Sequence, residues 1–175
     1  ANATLGERRA AAARMFTSKE NGLFARTIVN RLWKQLLGHG LVEPADEMEN
    51  PAWYPELLDW LAADLIANNY DLKHLLRTIV LSEPYQRPAV KSGSLRDAKY
   101  VFAGPWPRRL TAEQFSDAIS SMTGEWRIRT DNRPVPGIYA REWRFKANAL
   151  TRALGRPQRD GAVTERLTES TTLQA

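Results

Sequence analysis

The chain has 175 residues, 43% of them hydrophobic and 26% charged, with a net charge of +5 and no cysteine. That length suits one domain with its own core, and no run approaches the roughly 18 apolar residues of a membrane span. The lack of cysteine excludes disulfides, thiolate zinc sites, iron–sulfur clusters and thioether haem attachment within the chain.

Residues Leu5 to Phe16 are rich in Ala and Arg, strong helix formers, and predict a first helix that stops at Thr17 to Gly22. A second helix is expected from about Leu23 to Leu37. Ala25, Ile28, Val29, Leu32, Trp33 and Leu36 form its apolar stripe, and Asn30 and Arg31 lie toward the polar side. Gly38 is its stop. An acidic loop follows, with Glu43, Asp46, Glu47 and Glu49 between Pro44 and Pro51. Pro55 opens a third helix that buries Leu57, Leu58, Leu61, Leu65 and Ile66. Asp71 caps a fourth, with Leu72, Leu75, Leu76, Ile79 and Val80 inward, so the two make an antiparallel hairpin. Ser82-Glu83-Pro84 stops the run.

Val90 to Pro107 reads as a connection, long for a loop inside a compact domain, that is either mobile in part or packed through Tyr100, Val101, Phe102 and Trp106. Thr111 and Gln114 match a capping box, with Leu110 and Phe115 as its staple. That helix is expected to bury Phe115, Ala118, Ile119 and Met122 and to stop at Gly124. Regularity then fades: RPVPG (Arg133 to Gly137) is a turn-rich break, GIYAREWRF suits a short extended piece, and Ala147 to Leu154 adds a helical turn. Ser170 to Ala175 reads as the start of another helix, which implies a longer parent chain.

The positive charge is concentrated. Nine Lys or Arg stand between Trp126 and Arg159 against only Asp131 and Glu142. Such a segment, interleaved with Trp126, Tyr139, Trp143 and Phe145, points to an anionic partner such as an acidic polysaccharide, an acidic protein face or a nucleic acid. The competing reading buries those aromatics and pairs the arginines with the acidic loop near Asp46.

Catalytic motifs are missing: no Gly-rich phosphate loop, no nucleophile elbow, no zinc-binding histidine pattern. The two histidines, His39 and His74, have no ligand spacing around them, so no metal or cofactor is expected in this chain. His39 between two glycines is read as ordering a turn. The acidic loop offers oxygen ligands to a hard cation without the EF-hand pattern, and the solvated reading is preferred. Glu113 and Asp117 lie one helical turn apart, as an acid–base pair or as partners for Arg108 and Arg109.

Several segments resemble one known family in a single order: Val29-Asn30-Arg31-Leu32-Trp33, Gly38 to Val42, Pro55 to Ala62, Ile79 to Gln86, Arg108 to Ala118 and LGRPQRD from Leu154. The family is the C-terminal domain of unknown function of secreted Planctomycetes proteins that carry a planctomycete-type cytochrome c module. Where that family has Ser-His before the PELL segment, Trp53 and Tyr54 stand here, so no role of that histidine carries over. The resemblance implies an exported protein, with c-type haem in a separate module and polysaccharide breakdown as its setting. It brings no accepted activity. It also implies that another segment packs over Asn30 and Arg31, with Arg108-Arg109 or the Ser82–Gln86 turn as the expected partner.

The sequence thus predicts an all-α chain of one domain (residues 1–175), with a helical core over about 5–124 and an irregular basic segment over 125–175, from a larger multidomain protein. The leading expectation is an accessory or interaction domain that docks on neighbouring domains or binds an acidic polysaccharide. The candidate polar site comprises Asn30, Arg31, Arg108, Arg109, Glu113, Arg141 and Arg144. One alternative is an enzyme subdomain acting on acidic or sulfated polysaccharide, its site completed by other regions. The other is nucleic-acid binding through residues 126–159, which export of the parent opposes.

Overall fold

The structure, a computed structural model, describes residues 3–90, 100–124, 128–130, 133–135 and 149–157. The fold is all-α in its packed elements. In chain order these are α1 (Leu5–Thr17), α2 (Gly22–Leu37), α3 (Pro55–Ala67), α4 (Leu72–Val80), α5 (Glu83–Gln86), α6 (Ala112–Thr123) and α7 (Ala149–Ala153). Between α6 and α7, β1 (Ile128–Thr130) and β2 (Arg133–Val135) form a two-stranded antiparallel ribbon. The chain divides into two compact units, Ala1–Pro107 and Arg108–Ala175.

The first unit is built on α2, α3 and α4. Ala25, Val29, Trp33 and Leu37 recur every four residues on α2 and are buried with Leu58, Leu61, Ala62 and Leu65 of α3 and Leu75 and Ile79 of α4. Helix α2 ends where glycine permits it: Gly38 has φ 87° and its N–H donates to the Lys34 carbonyl. Pro55 sits in the first turn of α3, and the Asp71 carboxylate accepts from the Lys73 and His74 amides to start α4. The turn between them runs through Asn69 and Tyr70 at φ 54° and 60°. Tyr70 is held there by its amide bond to the Leu65 carbonyl and by an edge contact with Phe24 at 5.6 Å. Ser82-Glu83-Pro84 does more than stop α4, because Pro84 falls in the opening turn of α5, where a missing N–H costs nothing. Helix α1 has a Thr4–Glu7 capping box and no buried residue, so its cap and its Ala and Arg propensity hold it.

In the second unit the Thr111–Gln114 capping box forms and Gly124 ends α6 with φ 71°. The buried face is not the predicted one. Ala112, Glu113, Ser116 and Ser120 are buried, whereas Met122 is 81% exposed and Phe115, Ala118 and Ile119 are half-buried. The reason lies in what α6 meets: α7 packs on it and buries Thr151, and just past α7 Arg156 reaches Glu113. Small hydroxyl side chains let the helices approach, and the carboxylate follows its cation. The RPVPG stretch also departs from expectation, since Arg133–Val135 pairs with Ile128–Thr130. Pro134 is tolerated because a strand of a two-stranded ribbon has one unpaired edge. The GIYAREWRF stretch lies outside the described residues.

Candidate functional site

The Val-Asn-Arg-Leu-Trp segment of α2 and the Gly-His-Gly-Leu-Val turn after it form one hydrogen-bonded body. Asn30 is fully buried. Its carboxamide donates from Nδ2 to the Val42 carbonyl and accepts the Val42 amide at Oδ1, both at 2.9 Å. The chain reverses at Gly38, runs back along α2, and Asn30 supplies the partners that Val42 lacks. The expected contact of Asn30 and Arg31 with Arg108-Arg109 or the Ser82–Gln86 turn is therefore replaced by a nearer one. Arg31, next along the helix and exposed, reaches Asp46 instead. Glu43 closes the same body: Oε1 accepts the Gly40 amide at 2.6 Å, and Oε2 meets Lys34 Nζ at 2.7 Å. Two of the acidic-loop carboxylates are thus committed to protein partners. Among the described residues, no three His, Asp or Glu side chains converge as a metal set.

Gly40 has no room for a side chain, because a Cβ there would lie 2.5 Å from the Val42 carbonyl oxygen. Its own carbonyl accepts twice, from Trp53 Nε1 at 2.9 Å and from His39 Nδ1 at 2.7 Å. A carbonyl only accepts, so Nδ1 carries the proton in the neutral His39 ring. Trp53 stands at the position where the family resemblance has a histidine nearby, and here its indole braces the turn. The His39 ring stacks on Tyr100 with centroids 3.8 Å apart and planes 3° apart, and meets the edge of Trp106 at 4.9 Å. Tyr100 in turn meets Trp53 at 5.0 Å, and Trp53 stacks on Phe102 at 6.1 Å. The Trp106 amide donates to the Leu37 carbonyl at 2.8 Å, capping the α2 terminus. The connection at 100–106 is therefore an aromatic strap laid over the turn, as its aromatics predicted, except that Val101 stays exposed. Burial pushes the His39 imidazole below its ordinary value, and burial with Glu43 nearby pushes the Tyr100 phenol up.

In the second unit Glu113 and Arg156 are both buried and lie 3.7 Å apart, Oε1 to Nε. They come from two of the segments that carried the family resemblance, Arg108 to Ala118 and Leu154 to Asp160. Asp117 is half-buried one turn further along α6. Arg108 and Arg109 are exposed at the entrance to the helix. Arg141 and Arg144 lie outside the described residues. The other histidine, His74, pairs through Nε2 with Asp64 Oδ2 at 2.8 Å and ties α4 to α3.

Four participants escaped the sequence reading: Val42, Glu43, Arg156 and Thr151. A signal for the first two was present, since a reversal at Gly38-His39-Gly40 must bring residues 42 and 43 back alongside α2. Arg156 stood in the LGRPQRD segment of the resemblance with nothing to name its partner, and for Thr151 there was no signal, because it meets α6 only through tertiary packing.

Searches of curated proteins and of solved structures gave no match. The family described as PSD1: Protein of unknown function (DUF1553) matches over residues 8–175, nearly the whole sequence and both units, and the chain belongs to that family.

Proposed function

We propose that this chain is an accessory interaction domain of an exported, cytochrome-linked multidomain protein associated with polysaccharide degradation. The observation that carries this reading is the closure of the signature's polar groups on the chain itself. Asn30 is spent on Val42, Glu43 on Gly40 and Lys34, and Arg31 on Asp46. A signature whose polar atoms brace a turn specifies a scaffold for presenting other surfaces. The positive charge between Trp126 and Arg159, apart from the buried Arg156, suits a polysaccharide bearing sulfate or carboxylate groups, or the acidic face of a neighbouring domain. Haem would sit in another module, since this chain has no cysteine to attach it.

The test is retention of the full chain on a sulfated polysaccharide column. With Arg141→Glu and Arg144→Glu together, elution moves to lower salt. Unchanged retention at low salt removes the polysaccharide partner and leaves docking on neighbouring domains. Equal binding to single-stranded DNA, falling steeply with salt, supports the nucleic-acid alternative instead.

A second reading, an enzyme subdomain, is favoured by the buried Glu113–Arg156 pair with Asp117 one turn away. It predicts that Glu113→Gln in the parent protein abolishes release of reducing ends or sulfate from sulfated polysaccharide while the chain stays folded.

A further inference from the structure

We propose that the His39 stack is an acid-sensitive latch: protonating the imidazole loosens residues 100–106 from the α2 turn and bares the ring faces of Trp53 and Trp106. The geometry makes His39 the hinge of the contact. The residue is 8% exposed, and its ring is the group of the turn on which Tyr100 stacks face to face. Nδ1 already donates to the Gly40 carbonyl, so an added proton goes to Nε2.

The charged groups facing the ring come from each element around it. Lys34 approaches from α2 and disfavours the cation, whereas Glu43 approaches from the turn and favours it. The Glu43 carboxylate also accepts the Gly40 amide and meets Lys34, whose charge offsets part of its own. Tyr100 faces the ring from the strap, its phenol held neutral by burial and by Glu43. Stacking on a tyrosine face attracts a cation, which partly opposes the effect. Burial is the largest influence on the ring and sets the direction downward.

The sign follows from linkage. A base whose folded value is depressed binds its proton later folded than free. The latch is therefore complete above about pH 6.5 and weakens as pH falls from there to the lowered value, by about tenfold for each unit between them. The strap keeps two other anchors, Trp106 N–H on the Leu37 carbonyl and Val90 N–H on the Pro105 carbonyl, so loosening begins at the Tyr100 end.

The experiment is an NMR titration of the full chain from pH 8 to 4.5, following both histidine rings, the Trp53 indole N–H and the Trp106 amide. The expected result is a His39 midpoint below 6.5. Protection of the two tryptophan groups falls between about pH 6.5 and that midpoint, about tenfold per unit of displacement, while the Leu65 amide stays protected. His39→Phe keeps a stacked ring without a titrating group and makes that protection independent of pH. A His39 midpoint at or above 6.5 overturns the proposal, as does Trp53 and Trp106 protection that is flat across the titration or that falls equally in His39→Phe. If His39→Phe does not fold, the wild-type curves decide: a fall in protection that begins near pH 6.5 and levels off at the His39 midpoint supports the proposal, and any other course overturns it.

Discussion

Around Asn30, polar side chains lie at the margin of an apolar core and bond to backbone a few residues away. Around Glu113, polar side chains are themselves the buried layer: Glu113, Ser116 and Ser120 face Thr151 and Arg156. The first arrangement gains stability from Leu, Val and Ile burial and uses polar bonds to fix a turn. Among the described residues the second buries Ala112 as its one apolar side chain and joins polar groups more than 40 residues apart in sequence. The two units of one chain thus solve the same packing problem with different forces, and they should fail differently.

The largest effect is expected in the second unit. Arg156→Met removes the buried cation 3.7 Å from Glu113 and costs about 3–5 kcal/mol there, read from exchange of α6 amides. Replacing both partners, Arg156→Met with Glu113→Leu, recovers most of that loss; no recovery would mean that the pair does more than neutralise itself. In the first unit, Leu65→Ala costs about 2–5 kcal/mol by urea denaturation, and its effect is unchanged between low and high salt. Gly40→Ala costs about 1–3 kcal/mol, because the added methyl meets the Val42 oxygen, and a neutral result would show that the turn can yield. Arg31→Ala removes an exposed pair with Asp46 and changes stability by no more than about 1 kcal/mol.

The helices of the first unit were legible because their signals are local. Gly38, Pro55 and Asp71 mark boundaries by backbone chemistry, and a four-residue stripe such as Ala25 to Leu37 needs no partner to be seen. The inward face of α6 was not legible. Phe115, Ile119 and Met122 form a good apolar stripe, and pattern alone selects it; the polar face wins because Thr151 and Arg156 are what it meets. The candidate site divides in the same way. Asn30 stood out through the family signature, yet its partner, Val42, offers only backbone atoms, which composition cannot single out.

If the signature residues are architectural, Asn30 shows it most directly. Urea denaturation of Asn30→Ala, compared with the unaltered chain, should show a loss of about 2–4 kcal/mol, because the Val42 amide and carbonyl are left buried and unpaired. An unchanged midpoint would contradict the account and move Asn30 from the scaffold to the function of the parent protein.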